Sequence, residues 1–421
     1  MKIKIWVAFI AALFIFGSCG QGKNKVEETG NSKFLSFIGA DSLSQEFTYS
    51  EGDPVLLHLD KSQLDRKVNL SDIIADYRFL KLKNWEGGVI GDIDKILLSD
   101  SLVFILDQYT YNSLQVFDLF SGEQVSLFFP TGEGPGEMKN ITEFDLDEAN
   151  RRIVIYDNSL AKVLYFSYEG QFLEEKRIPL RAHSFKFIAD NKILFSSINE
   201  SNDHLGGFGS SDLFLLDSNF VIHNSFKYPK IDQKLSDFVP RDVIRENDGY
   251  VSYFPRFSNE LLQINAKSQI IKPIIKVSLG LQGLSQEDFD RIGPEFIQER
   301  KEDKKFYGFG LHFITSNWIG MKFNRFGGRE LHVYYNKRNG EVISGTGLEF
   351  DFKDLILFSF PLVCKDETCI ASVKIGDTQL SDYENFFKKM EKTGRDFSGI
   401  REFLNSVHDF EQPILLVFTL R

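Results

Sequence analysis

The first residue whose chemistry depends on its neighbours is Cys19, which follows Gly17 and Ser18 at the end of an apolar run over 5–16. Two lysines precede that run, so the segment has the charged, apolar and small-residue regions of an export signal. Its twelve apolar residues are too few to span a bilayer, which takes about 20 residues in a helix. A thiol directly after small residues is typical of a bacterial lipoprotein, so we expect Cys19 to carry the lipid. An ordinary signal cleaved elsewhere, or a short anchor, is the alternative.

The other two cysteines, Cys364 and Cys369, flank a polar four-residue turn between apolar, strand-like segments. Their side chains are expected to face each other across a hairpin, and an oxidising envelope would favour a disulfide between them. A pair of reduced thiols is the alternative. Zinc is not expected, because one C-x4-C pair supplies only two of the four ligands that zinc takes.

The glycine-rich segment 131–137, Thr-Gly-Glu-Gly-Pro-Gly-Glu, is the most conspicuous loop of the sequence. It does not suit phosphate, because Pro135 lacks an N–H, the glutamates repel anions and no Lys-Ser/Thr follows. The sequence predicts a tight crossover that needs positive φ angles. The alternative is that the loop lines a binding mouth, which makes Glu133 a candidate binding residue.

Four aspartates end apolar strand-like runs, and they are Asp107, Asp118, Asp157 and Asp217. We expect them to accept backbone N–H groups of the following turns. Asp145 and Asp147 form D-x-D, but Asn150 stands where a calcium loop needs glycine. The seven histidines show no metal-binding spacing, so neither a metal nor a cofactor is expected, and no catalytic residue is assigned. The net charge of −11 also disfavours nucleic acid as a partner.

The sequence contains a repeated unit, a short strand pair around a polar turn, and this unit is expected to position these residues. The turns centre on Gly122, Gly170, Asn219, Lys267 and Gly340, and the first three steps are about 48 residues each. Four short strands per 40–50 residues are typical of a β-propeller blade, whose two apolar faces pack against its neighbours. The many Phe, Ile and Leu side chains are therefore expected to form the core. A β-solenoid is the alternative, but its repeats are shorter.

We therefore predict an all-β fold, a six-bladed β-propeller with two helical insertions near 284–306 and 378–407. The sixth blade is expected to combine strands from both chain ends, 76–83 and 413–420, which closes the ring. The predicted organisation is a signal peptide at 1–18, a lipidated linker at 19–70 and the propeller at 71–421.

Several segments resemble the TolB-like or NHL-like six-bladed propeller lipoproteins of Gram-negative envelopes. They are Tyr77-Arg-Phe-Leu-Lys-Leu, Ile90-Gly-Asp-Ile-Asp-Lys-Ile, Phe104-Ile-Leu-Asp107, Gly132-Glu-Gly-Pro-Gly-Glu137, Phe144-Asp-Leu-Asp, Ile155-Tyr-Asp157 and Pro413-Ile-Leu-Leu-Val-Phe. The resemblance covers about residues 70–421 and implies a propeller fold and an envelope location, without an established activity. Glu133 stands where that family usually has a basic residue.

The sequence favours a non-enzymatic binding module for an envelope protein or a glycan, anchored by lipid at the outer membrane and facing the periplasm or the cell surface. Candidate recognition loops are 131–137, 206–211 and 308–312, with Glu133, Phe208, Phe309 and His312 as binding residues. This hypothesis predicts a shallow mouth lined by loops. The alternative is a carbohydrate-active hydrolase or lyase at the axial mouth, which predicts a deep cleft with at least two carboxylates. If three or more ionisable side chains converge within hydrogen-bond reach near the axis, the preference for a non-enzymatic function is wrong.

Overall fold

The computed structural model describes residues 45–85, 88–188, 190–198, 200–229, 242–247, 250–285, 287–288, 305–325, 328–373, 385, 387–388, 394, 396–406 and 413–421. The predicted signal peptide (1–18) and Cys19 lie outside these residues, as does most of the predicted insertion at 284–306. Within the described ranges, no helix is long and apolar enough to span a bilayer.

The described chain begins with short elements that precede the repeats. They are β1 (Gln45–Glu46), β2 (Thr48–Tyr49), β3 (Val55–His58), α1 (Lys61–Asp65), β4 (Lys67–Asn69), α2 (Leu70–Ile73) and β5 (Ile74–Lys81). Asp60 caps α1 by accepting the N–H of Gln63, whose side chain accepts the N–H of Asp60, a reciprocal capping box.

Five antiparallel four-stranded sheets follow, each with its strands in chain order from the inner to the outer edge. Blade 1 contains β6 (Lys95–Ser99), β7 (Leu102–Asp107), β8 (Ser113–Asp118) and β9 (Gln124–Phe128). Blade 2 contains β10 (Glu143–Asp147), β11 (Arg152–Asp157), β12 (Lys162–Ser167) and β13 (Phe172–Arg177). Blade 3 contains β14 (Ser184–Ile188), β15 (Lys192–Ser196), β16 (Leu213–Asp217) and β17 (Ile222–Phe226). Blade 4 contains β18 (Ile244–Asn247), β19 (Tyr250–Tyr253), β20 (Glu260–Asn265) and β21 (Ile270–Ser278). Blade 5 contains β22 (Phe306–Ile314), β23 (Trp318–Arg325), β24 (Glu330–Asn336) and β25 (Val342–Gly345), and β26 (Gly347–Glu349) follows it.

The sixth blade joins the two ends of the propeller in one sheet. Its order is β27 (Val363–Lys365), β28 (Thr368–Val373), β29 (Ile414–Leu420) and then β5, with α3 (Ser398–Ser406) between β28 and β29. Leu415 of β29 is paired with Leu80 of β5. The predicted six-bladed ring, closed by strands from both ends, is confirmed, and α3 lies within the predicted insertion at 378–407.

The segment before β5 also runs along the outer edges of the blades. In parallel pairings, β1 adds to β17 of blade 3, β2 and β3 add to β21 of blade 4, and β4 pairs with β26. The part of the predicted linker (19–70) from Gln45 onward is therefore folded against the propeller. These added strands cover backbone edges that would otherwise be open to pairing with another chain.

Aromatic and aliphatic side chains fill the layers between blades. Phe104 of blade 1 and Phe144 of blade 2 belong to one buried cluster. Tyr156 of blade 2 packs with Phe185 and Phe195 of blade 3 in the next. Each buried Phe contributes roughly 1.5–3 kcal/mol relative to an exposed one, and the predicted core role of these runs is confirmed.

The strand-end aspartates act as predicted, as acceptors of backbone N–H groups. Asp118 accepts from Ser121 at 2.7 Å and Asp217 from Asn219 at 2.8 Å. Asp107 and Asp157 also reach the loop that enters their own blade, accepting from Gly91 and Lys139, both at 2.7 Å. Those two carboxylates thus fix the incoming loops of blades 1 and 2.

Candidate functional site

The first strands of the blades surround the propeller axis. They run in the same direction, so every first strand begins at one side of the ring, here called the loop side, and ends at the other, the turn side. The loop side carries the connections between blades, whereas the turn side carries the turn after each first strand. Side chains of these strands that face the axis form the walls of a channel.

Six charged side chains meet in this channel, and we call them the axial ion cluster. They are Lys95, Glu143, Asp145, Lys186, Asp242 and Arg245. They come from blades 1 to 4 and pair positive with negative charge throughout.

Lys95 is the centre of the axial ion cluster. Its Nζ lies 3.0 Å from Glu143 Oε1 of the adjacent blade 2 and 3.3 Å from Asp242 Oδ1, which precedes β18 of blade 4. Blades 1 and 4 are opposite each other in a six-membered ring, so the second contact crosses the axis. Asp242 Oδ2 in turn lies 3.0 Å from Arg245 Nη1.

The second ion pair of the cluster connects blades 2 and 3. Lys186 Nζ lies 2.7 Å from Asp145 Oδ1, and the backbone N–H of Phe187 donates to Asp145 Oδ2 at 2.6 Å. The carboxylate of Asp145 is completely buried. A buried carboxylate needs such partners, because an unpaired one would have to be neutralised by protonation.

Burial and ion pairing have opposite effects on the pKa of each of three groups in the cluster. Burial raises the pKa of Glu143 above its ordinary value, and the nearby Lys95 only partly opposes this. Burial would also raise the pKa of Asp242, but the positive charges of Arg245 and Lys95 outweigh burial and lower this pKa. Burial disfavours the charge of Lys95, yet the carboxylates of Asp242 and Glu143 outweigh it and raise the pKa of Lys95.

The axial ion cluster separates two cavities that share Lys95, Asp242 and Arg245 as part of their walls. The loop-side cavity has a volume of about 310 Å³. It is lined by Asp94, Lys95, Ile96, Asp242, Arg245, Phe309, Leu311, Lys322, Asn324 and Leu362. The turn-side cavity has a volume of about 290 Å³ and is lined by apolar side chains together with Lys186, Glu148, Glu246, Lys365 and Asp366. Both volumes suit a small ligand or part of a larger one.

A bulge in β22 brings two apolar side chains into the loop-side cavity. The pairing of β22 with β23 shifts between Gly308 and His312, and Phe309 and Leu311 line the cavity. A Cβ at Gly308 would lie 2.2 Å from the carbonyl oxygen of Ser258, so only glycine fits there. The predicted recognition loop at 308–312 is therefore wrong as a loop, because these residues belong to a strand.

Exposed aromatic side chains stand at the loop-side end of blade 1. Tyr109 is 70% exposed, and its backbone N–H donates to the cavity-lining carboxylate of Asp94 at 3.2 Å. Tyr111 and Phe129 are also exposed and lie at the same end of blade 1, where Leu114 pairs with Phe128. We call Tyr109, Tyr111 and Phe129 the aromatic rim.

The hairpin between β27 and β28 borders the turn-side cavity. The sulfurs of Cys364 and Cys369 are joined in a disulfide across it, with a Cα–Cα distance of 4.1 Å. Lys365 Nζ lies 2.8 Å from Glu148 of blade 2, and Glu367 accepts the N–H of Asn317 from blade 5 at 2.9 Å. The hairpin tip is thus held from both sides of the opening.

Of the four binding residues proposed from the sequence, only Phe309 lines a cavity. Glu133 is exposed, and its carboxylate lies 2.7 Å from Lys139 Nζ. Phe208 packs against the buried cluster between blades 2 and 3. The predicted crossover at 131–137 is confirmed, since Gly136 has a φ of 73° and Gly134 donates to the side chain of Glu137 at 2.8 Å.

His312 is buried and lines neither cavity. Its Nδ1 lies 2.8 Å from the carbonyl oxygen of Gly310, and its Nε2 lies 2.8 Å from Ser252 Oγ. Burial, with a smaller effect from Arg245, lowers the pKa of His312 to about 3. A neutral ring therefore donates from Nδ1 and accepts the Ser252 hydroxyl at Nε2, which is a structural role.

The axial ion cluster was not predicted from the sequence. The available signal was a charged residue in the otherwise largely apolar first strand of successive repeats, as Lys95, Asp145 and Lys186 are. The expected shallow mouth lined by loops is wrong, because strand residues supply most of the walls of both cavities. More than three ionisable side chains also converge within hydrogen-bond reach at the axis, and this meets the condition set against the preference for a non-enzymatic function. By their number alone, they favour the enzymatic alternative. Among the residues that the structure describes, no three His, Cys, Asp or Glu side chains are grouped to hold a metal.

Comparison with solved structures shows the same fold elsewhere. A Bacteroides fragilis protein described as exported matches with a TM-score of 0.69 and 19% identity, over 88% of this chain and 100% of that chain. A member of the DUF4221 family from Bacteroides vulgatus matches with a TM-score of 0.46 and 12% identity, over 83% of this chain and 98% of that chain. At 19% identity, the match to the Bacteroides fragilis protein establishes the fold alone. No curated protein matches the sequence.

A family match covers most of the propeller. The family is DUF4934, a domain of unknown function, and it matches residues 56–419, from β3 to the end of β29. The chain belongs to the DUF4934 family.

Proposed function

We propose that this protein is an exported, lipid-anchored propeller that binds a glycan at its loop-side cavity and does not transform it. The observation that carries the proposal is the combination of an exposed aromatic rim with a cavity that holds a few polar groups among apolar walls, both on one side of the ring. The likeness to an exported Bacteroides fragilis protein and the signal-like residues 1–18 support export. The TolB-like or NHL-like affiliation is part of the same proposal.

The aromatic rim offers flat apolar surfaces on which one face of a sugar ring can pack. The C–H faces of sugars pack on flat aromatic side chains, and Tyr also offers a hydroxyl at its edge. Within the described part of the chain, the most exposed aromatic side chains all fall between residues 85 and 172, in or beside blades 1 and 2. The glycan is therefore expected to lie over blade 1 and to reach toward the axis.

The loop-side cavity supplies the polar contacts. Asn324 offers both a donor and an acceptor, Lys322 and Arg245 offer donors, and Asp94 offers carboxylate oxygens. A few polar groups placed among apolar walls fix the orientation of a ligand, as they do in most small-molecule sites. Phe309 of blade 5 provides an apolar surface within the cavity itself.

Glycoside hydrolysis is the second candidate, and the opposite pKa shifts of Glu143 and Asp242 favour it. A general acid with a raised pKa beside an ionised carboxylate is the arrangement that retaining glycosidases use. However, Glu143 is only 4% exposed and lines neither cavity. An acid that cannot touch a bound sugar cannot protonate a leaving group, and binding without turnover is therefore the better-supported function.

The binding experiment uses a panel of short defined oligosaccharides, neutral and acidic, immobilised and probed with the folded protein. Tyr109→Ala is expected to weaken binding of the best ligand about tenfold, which corresponds to about 1.4 kcal/mol of lost stacking. Phe120→Ala is the matched control, since Phe120 is equally exposed at 72% but lies in the turn between β8 and β9 on the turn side. No binding by the wild type, or equal losses in both variants, would overturn the proposal.

The anchor is tested separately, because it does not depend on the ligand. Wild-type protein is expected to incorporate labelled palmitate and to fractionate with membranes. The Cys19→Ala variant is expected to lose the label and to appear in the soluble fraction. An unlabelled wild type would remove the anchor from the proposal and leave the binding site unaffected.

A further inference from the structure

The turn-side cavity has a wall chemistry different from that of the loop-side cavity. Its walls combine apolar side chains with charges of both signs. The apolar lining consists of Leu97, Leu98, Leu146, Ile244, Phe313, Ile314 and Val363. Only one of these side chains is aromatic, so the surface suits an aliphatic group better than a stacked sugar.

The charges of the turn-side cavity are sorted by depth. Lys186 and Arg245 are mostly buried at the floor, next to the axial ion cluster. Glu246 and Asp366 are exposed at the rim. The partly exposed pair of Lys365 and Glu148 also lies at this opening, so the rim as a whole is net negative. A ligand that enters meets this rim first, and at the bottom it meets two cations that are each paired with a carboxylate.

Arg245 has hydrogen-bonding capacity that the protein does not use. Its side chain is 12% exposed, and Nη1 donates to Asp242 Oδ2 at 3.0 Å. Its Nε is buried and has no acceptor among the described residues. A guanidinium carries five N–H donors in a planar fork that matches a carboxylate, and a largely buried, partly satisfied cation is costly. A ligand acceptor that contacts the exposed part of this side chain would stabilise the guanidinium.

We propose that the turn-side cavity binds an α-amino acid or a short peptide with an apolar side chain. The carboxylate faces Arg245 and Lys186, and the ammonium group faces Glu246 and Asp366. The aliphatic side chain packs on the apolar wall, and the volume of about 290 Å³ admits one or two residues. A phosphate is disfavoured because the rim is acidic. This site lies on the other side of the axial ion cluster from the proposed glycan site, and the two sites share Arg245 in their walls.

Isothermal titration with four probes tests the two charges of the ligand separately. The probes are L-leucine, the dipeptide Leu-Leu, 4-methylpentanoate, which lacks the ammonium group, and 3-methylbutylamine, which lacks the carboxylate. Leucine or Leu-Leu is expected to bind at least about tenfold more tightly than either single-charge analogue, because each lost charge-assisted contact weakens binding by about this factor. Comparison of leucine with Leu-Leu separates a free amino acid from a peptide.

Two lysines distinguish the two cavities, since Lys186 lines only the turn-side cavity and Lys322 only the loop-side cavity. Lys186→Gln is expected to weaken binding of the tightest probe about tenfold, whereas Lys322→Gln leaves it unchanged. The reverse order is expected for the oligosaccharide, so failure of one site is distinguishable from failure of the other. Because Lys186 also neutralises Asp145, thermal unfolding is measured first, and the exposed Glu246→Gln variant provides a second test that leaves Asp145 paired.

Three results would overturn the proposal. The first is that no probe binds to the wild type. The second is that 4-methylpentanoate binds as tightly as leucine, which would indicate a site for simple carboxylates. The third is that Lys322→Gln weakens binding as much as Lys186→Gln, which would place the probe on the loop side.

Discussion

Lys95 of blade 1 forms an ion pair with Asp242 across the propeller axis, at 3.3 Å between Nζ and Oδ1. The same Nζ lies 3.0 Å from Glu143 of blade 2. One buried cation therefore connects adjacent and opposite blades, and it forms part of the partition between the two cavities. Lys95 therefore contributes both to the stability of the ring and to the walls of the two cavities.

Lys95→Met is expected to destabilise the fold by about 3–5 kcal/mol, because it leaves two buried carboxylates without their shared cation. Urea unfolding measures the change in the free energy of unfolding. Lys83→Met is the matched control, since Lys83 pairs with Glu123 at the surface, and it should cost less than about 1 kcal/mol. Equal effects of the two variants would show that the axial ion cluster does not hold the ring.

Lys365 and Glu148 form a second long-range pair, at 2.8 Å across the turn-side opening, with blade 1 between their blades. Both side chains are partly exposed, so their coupling energy in a double-mutant cycle of Lys365→Met and Glu148→Gln is expected to be about 0.2–1 kcal/mol. Urea unfolding of the four proteins gives this value. A coupling above about 2 kcal/mol would mean that the pair is a structural lock and not a weak surface contact.

Stability is expected to fall as the pH drops from about 6.5 toward 3, in part because of His312. Burial lowers the pKa of His312 to about 3, so the unfolded chain binds a proton in this window that the folded protein does not bind. His332, whose pKa is lowered to about 4 by burial, acts in the same direction. His312→Gln should reduce the slope of stability against pH by up to about 1.4 kcal/mol per pH unit.

Urea unfolding between pH 3 and 7 measures that slope. His58→Gln, which removes an exposed histidine, is the matched control for the loss of a side chain. An unchanged slope in His312→Gln would show that folding does not lower the pKa of this ring.

Reduction of the Cys364–Cys369 disulfide is expected to lower the free energy of unfolding by about 2 kcal/mol, because the closed loop is short. Unfolding with and without a reductant measures this effect, and the intact mass reports the two hydrogens gained. The Cys364→Ser/Cys369→Ser double variant should be insensitive to the reductant. Wild-type protein whose mass does not change on reduction would contradict the disulfide.

Local sequence patterns predicted the blades well, because each hairpin turn joins strands that are neighbours in the chain. The pairing of Leu80 with Leu415 was also predictable, since only a shared sheet allows both chain ends to lose their open edges. The added strands β1 and β2 were not predictable, because two residues are too few to show an alternation of apolar and polar side chains. The contact between Lys95 and Asp242 could not be predicted either, because it depends on the radius of the closed ring and not on the spacing of the residues in the sequence.

The most direct test of the proposed function follows the tightest-binding oligosaccharide of the panel through prolonged incubation with the wild-type protein. We predict saturable binding, with the oligosaccharide recovered intact by mass spectrometry. Absence of binding by every member of the panel would contradict the proposal. So would the appearance of cleaved products that are lost in Glu143→Gln, which would identify the axial ion cluster as a catalytic site.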